Sequence, residues 1–102
     1  MSEVLIIARF VASQGKEDQL KALLQGMLTP TRAEAGCERY ELYGSDARGH
    51  FYLYETWENQ AALDQHIATP HFRHLEQAVG ELLTEPFEVN ILHSIEARDT
   101  NA

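Results

Sequence analysis

Residues 3–11 set the strongest constraint on the fold. They carry Val4, Leu5, Ile6, Ile7, Phe10 and Val11. β-branched and apolar residues at this density predict a strand that is buried on both faces. The rest of the chain must therefore cover two sides of it. The period changes after the turn Ser13-Gln14-Gly15. From Lys16 onward, Leu20, Leu23, Leu24, Met27, Leu28 and Thr31 follow i, i+3, i+4, i+7 spacing, one face of an amphipathic helix. Gly36 tolerates positive φ and is expected to end that helix. Residues 37–44 and 50–57 read as two strands of a hairpin around the loop from Gly44 to Gly49. In the second strand Phe51, Leu53, Glu55 and Trp57 share one face, and Tyr52, Tyr54 and Thr56 share the other.

Asn59 is a good N-cap for a helix running to about Ala68. Thr69-Pro70 starts a second helical segment, with Thr as the cap and Pro at the first helical position. Phe72, Leu75, Val79, Leu82 and Leu83 form its apolar stripe. Gly80 weakens the last turn, and Pro86 ends the segment. Phe87, Val89, Ile91, His93 and Ile95 alternate with Glu88, Asn90, Leu92 and Ser94, so the last element reads as a strand.

The order β-α-β-β-α-β predicts an α+β, ferredoxin-like split sandwich with four antiparallel strands and helices on one face. At 102 residues it is one domain, 1–102, with 97–102 expected to fray. Helices can cover only one side of the sheet. The other side would expose an apolar patch that soluble monomers rarely carry. A homodimer that packs sheet against sheet removes it.

Charge narrows the partners. Eight Lys and Arg against sixteen Asp and Glu give a net charge of −8. Such a surface repels phosphate backbones and anionic membranes, so neither nucleic acid nor membrane is expected as a partner. The first apolar run is too short for a secretory signal or a membrane span, and the single cysteine allows no internal disulfide. A cytoplasmic location is the expectation. Phosphate-binding, zinc-protease, CxxC and GxSxG motifs are missing.

Several residues remain as candidates for chemistry. Cys37 is either a small buried hydrophobe or a thiol activated by Arg39. His66, His71 and His74 are close in sequence, but a helix break separates the first from the others. They read as solvated or capping histidines, and no metal site is expected. Glu55 lies on the covered sheet face. It is either paired with Arg9, Arg32 or Arg39, or left as a carboxyl with a tuned pKa. Trp57 is either core or a stacking surface, and its indole N–H needs a partner.

The runs EAGCERYELY (34–43) and FYLYETWENQAALDQHIATPHFRHL (51–75) resemble the antibiotic biosynthesis monooxygenase family. The pattern is E-x-G-C-x-x-Y, f-x-l-x-E-x-W, a-l-x-x-H and s/t-p-H-F. It is met at Glu34, Gly36, Cys37, Tyr40, Glu55, Trp57, Leu63, His66, Pro70, His71 and Phe72. The resemblance implies a dimeric α+β barrel and a monooxygenase that uses O₂ on quinols, phenols or polyketide-like aromatics, without metal or other cofactor. Carried onto this chain, His66 would be the base or anion partner. Trp57 would be a pocket wall donating its N–H, and Glu55 would orient His66 or an arginine. Tyr40, His71, Phe72 and Arg9 would bind the small-molecule substrate. Haem-degrading relatives use an asparagine on the first strand, where this chain has Ile7, Ala8 and Arg9. Another relative isomerises a phosphorylated signal, which would call on Arg9, Arg39 or Arg73. A non-catalytic dimeric binder is the third reading.

Overall fold

The computed structural model describes residues 3–95. The tail expected to fray lies outside that range. Eight-residue strands β1 (Val4–Val11), β2 (Cys37–Gly44) and β3 (His50–Trp57) form one antiparallel sheet with the shorter β4 (Glu88–Leu92), in the order β2-β3-β1-β4. Helices α1 (Glu17–Gln25), α2 (Leu28–Arg32), α3 (Gln60–Ile67) and α4 (Pro70–Val79) connect them. This is the ferredoxin-like α+β arrangement, and the hairpin strands fall where aromatic alternation placed them.

β1 lies between β3 and β4, pairing Ile6 with Glu55 and with Ile91. Its alternate residues Val4, Ile6, Ala8 and Phe10 are buried under the helices with Leu53 and Trp57 of β3. Leu20, Leu24 and Met27 close the core from the first helical segment, and Leu75 and Val79 from α4. Leu5, Ile7, Arg9, Tyr52 and Tyr54 lie on the other face and stay half-buried, since no helix among the described residues covers it.

Three local expectations need correction. The first helix is two pieces, α1 and α2, broken at Gly26 and Met27. Pro30 has no N–H to give the Gly26 carbonyl, so the i to i−4 ladder cannot run through. The apolar stripe survives the break: Leu20, Leu24, Met27 and Thr31 are all buried. Gly36 does not end a helix by positive φ. Only Gly15 and Gly49, both in turns, have positive φ among the described residues. Gly36 is instead a point of close approach, where a Cβ would overlap the Ala62 Cβ of α3. The last strand also stops at Leu92, three residues short of Ile95. Leu92 pairs with Leu5, next to the start of β1 at Val4, so the neighbouring strand offers at most one further partner.

The Gly36 contact docks α3 on the start of β2. Gly36→Ala is expected to lower stability by about 1–3 kcal/mol through overpacking, and Ala62→Gly in the same chain to restore much of it. Thermal melting of the single and double variants checks this. An unchanged melting temperature in Gly36→Ala would contradict the packing account.

Candidate active site

β3 places Glu55 and Trp57 two residues apart, so both point to the helix-covered face. The Trp57 indole Nε1–H donates to Glu55 Oε1 at 3.0 Å. Tyr40 of β2 stands opposite Glu55 in the register and is buried beside it. Two capped helices close over this face. Asn59 accepts from the Ala62 N–H at 2.9 Å and starts α3, which brings down His66. Thr69 accepts from the Phe72 N–H at 3.2 Å and donates to the His66 carbonyl at 2.7 Å. The break between the helices therefore does not separate the histidines. It turns the chain so that His66 and His71 meet.

They meet on Glu34, in the segment between α2 and β2. His66 Nδ1 lies 2.8 Å from Glu34 Oε2, and His71 Nε2 lies 2.6 Å from the same oxygen. A carboxylate only accepts, so both ring nitrogens are assigned as N–H donors. His66 then keeps its lone pair on Nε2. Its ring lies against Trp57, with centroids 4.5 Å apart, and contacts Tyr40 and Phe72 edge-on. The donor atoms of Glu34, His66 and His71 lie within 4.8 Å of one another, a set chemically suited to a zinc-type cation. The two short contacts to one oxygen are at hydrogen-bond distance. His74 is exposed and does not join the group.

A cavity of about 260 Å³ lies between the sheet and helices α3 and α4. Its walls are largely apolar, with Ile6, Phe10, Leu53, Leu63, Phe72 and Phe87 among them. Tyr40, Glu55, Gln60, Asp64 and His66 are its polar residues, and no lysine or arginine among the described residues lines it. Val89 and Ile91 of β4 face the cavity yet remain 50% exposed, so it opens along the β4 edge.

Burial pushes the Glu55 carboxyl up to about 7; the Trp57 N–H opposes the shift and the Glu34 charge adds to it. Burial moves His66 the other way, below its ordinary value, with Glu34 resisting. An acid and a base thus sit on one cavity, and burial favours the uncharged form of each. Tyr40 is held protonated by burial. Burial and the charge of Glu34 also raise the Cys37 thiol, so the activated-cysteine reading fails. Arg39 does not activate it: that guanidinium bonds Glu41 at 3.0 Å and lies over the Tyr54 ring.

The structure gathers His66, Glu55, Tyr40 and Phe72 on the cavity, with Trp57 and His71 directly behind His66. Trp57 is not a cavity wall, and its N–H is occupied by Glu55 rather than free for a ligand. None of the three proposed arginines pairs with Glu55. Arg9 is not brought to the cavity. It lies on the open sheet face and pairs with Glu85 and Glu88 at 3.2 and 3.4 Å. Arg32 donates to the Tyr40 carbonyl. Glu34 is the residue that sequence reasoning passed over. Its one signal was its place in the E-x-G-C motif.

Glu55 makes stability depend on pH. Its folded pKa lies above its ordinary value of 4.5, so its contribution is complete below 4.5 and is lost as pH rises through about 7. The cost of ionising it in place is roughly 3 kcal/mol. The melting temperature of the parent protein should fall relative to that of Glu55→Gln between pH 5 and 8.5. Parallel curves would contradict this assignment.

Comparison with known proteins agrees with the fold and the motif. The antibiotic biosynthesis monooxygenase family model matches residues 3–78. A Mycobacterium tuberculosis protein bearing the name "Putative monooxygenase Rv0793" is 45% identical over 91 residues, 89% of this chain and 90% of its own length. The solved structure of Rv0793 superposes with a TM-score of 0.89, covering 93% of this chain and 97% of that one, at 43% identity. PA3566 from Pseudomonas aeruginosa superposes with a TM-score of 0.87 at 30% identity, covering 94% and 97% of the two chains. By matched residues, fold and relatives together, the chain belongs to the antibiotic biosynthesis monooxygenase family.

Proposed function

We propose that the protein is a cofactor-independent monooxygenase acting with O₂ on a small, uncharged quinol or phenolic aromatic. The observation that carries this reading is the cavity: largely apolar, without a cationic side chain among the described residues, and lined by His66 and by a carboxyl, Glu55, that burial keeps partly protonated. Such a lining gives no support to the phosphorylated-signal reading, since a phosphate would need arginine or lysine. The volume, about 260 Å³, lies just below the usual range of ligand pockets, roughly 300–1,000 Å³. It suits one or two rings.

The chemistry needs few parts. His66 Nε2 takes the phenolic proton, and the electron-rich anion passes an electron to O₂. The two radicals join in a C–O bond. Cleavage of the O–O bond leaves one oxygen in the product and releases the other as water. The substrate supplies all the reducing electrons: a quinol and O₂ give a hydroxyquinone and H₂O. Glu55, partly protonated near neutral pH, is placed to give a proton to the leaving oxygen. Trp57 holds Glu55 in position, and Tyr40, Phe72 and the apolar walls exclude water.

The assembly belongs to the same proposal. Leu5, Ile7, Tyr52 and Tyr54 form an uncovered apolar stripe on the open sheet face, and a second copy would cover it. Arg9 lies on that face and would take part in the interface rather than in substrate binding. No helix among the described residues is long and apolar enough to cross a membrane.

Two measurements follow. Metal-free protein should consume O₂ above autoxidation with reduced mono- and bicyclic quinols, and His66→Ala should lose roughly a hundredfold or more of that rate. Full activity in His66→Ala would remove the base from the mechanism. Light scattering at micromolar concentration should give a mass near twice 11.6 kDa. A monomeric mass would contradict the sheet-to-sheet pairing.

A further inference from the structure

His66 can act as a base only in one of its two neutral forms. The lone pair must be on the nitrogen left for the cavity, and the proton on the other. Glu55, the nearest candidate by motif, does not impose this. Its Oε1 is occupied by the Trp57 indole. The contact that does impose it is on the far side of the ring, at Glu34. Burial is graded across the group. The side chains of His66, Glu34 and His71 are 3%, 14% and 23% exposed. The innermost member faces the cavity and the outermost reaches solvent.

We propose that Glu34 is the positioning residue of this site, and that His71 sets how strongly it acts. Glu34 Oε2 accepts the Nδ1–H of His66, fixes the tautomer and leaves Nε2 as the base. It also stabilises the imidazolium formed when Nε2 takes a proton. His71 shares the same oxygen. The His71 N–H, on the same oxygen, draws carboxylate charge toward itself and makes His66 a weaker base. The direction of each influence is opposite: Glu34 favours the charged form of His66 and His71 opposes it. Of the other titratable groups on elements packed around His66, Tyr40 of β2, Glu55 of β3 and Asp64 of α3 share the cavity lining with it, while Arg73, His74 and Glu76 of α4 are exposed. None of them bonds its ring nitrogens. No atom is transferred beyond the single proton of the base step.

This rests on the reading of His66 as the base, so the test has an arm that needs no turnover. Ring ¹⁵N NMR resolves the protonation and tautomer of each of the five histidines. In the parent protein at high pH, His66 should carry its proton on Nδ1. Glu34→Gln should lower the His66 proton affinity and His71→Ala should raise it, each by on the order of tenfold. Glu34→Asp should recover part of the parent value. Shifts of the same sign in both variants, no shift, or a proton on Nε2 in the parent would overturn the proposal. In the second arm, the acidic limb of the kcat/KM profile for quinol oxidation should move to lower pH in Glu34→Gln and to higher pH in His71→Ala. If the parent protein consumes no quinol, the monooxygenase reading falls. The NMR arm then still decides the role of Glu34.

Discussion

β1 is flanked by strands on both edges and covered by helices on one face only. The consequences of that placement run through the molecule. On the covered side, Val4, Ile6, Ala8 and Phe10 form the floor of the core. That floor continues into β3, so Leu53, Glu55 and Trp57 are committed to the same dry layer. A carboxyl there cannot be solvated. It must find a donor or keep its proton, and Glu55 does some of each: it accepts from the Trp57 indole and its pKa rises to about 7. On the uncovered side the same alternation leaves Leu5, Ile7, Tyr52 and Tyr54 without a lid among the described residues. The site and the open face are thus two results of one strand pattern.

The helices do more than cover. α3 and α4 are each started by a side-chain cap, and the turn between them is only Ala68 and Thr69. Thr69 serves both helices, capping α4 and bonding the His66 carbonyl at the end of α3. That shared residue sets the angle at which His66 and His71 approach Glu34. The electrostatics follow from the packing. Burial alone would leave His66 a poor base, and the Glu34 carboxylate offsets part of that cost. The cavity gains a proton acceptor without exposing it to bulk water.

Much of this was legible in the sequence because it rests on local rules. The aromatic alternation of 50–57 and the loop before it located the hairpin, and the caps Asn59 and Thr69 located both helix starts. The motif pointed to Glu55, Trp57 and His66. What could not be read was tertiary. Gly36 looked like a helix terminator, whereas its lack of a side chain answers to Ala62, 26 positions along the chain. The partner of His66 is likewise 32 positions away, and no periodicity links Glu34 to it. Arg9 is formally close to Glu55 in sequence logic, but strand alternation sends its side chain through to the other face. The first helix reads as one piece because its apolar stripe is unbroken; Pro30 interrupts the backbone ladder at Gly26 without interrupting that stripe.

In the proposed reaction the small apolar cavity, with His66 as base and Glu55 as acid, inserts one atom of O₂ into an electron-rich aromatic substrate. The most direct measurement is isotope labelling. A quinol that the protein consumes is turned over under ¹⁸O₂ in ordinary water, and the product is weighed by mass spectrometry with short sampling times to limit exchange. The account predicts one ¹⁸O atom per product molecule and the second in water. Product carrying oxygen from the solvent alone, or consumption that proceeds equally without O₂, would contradict it.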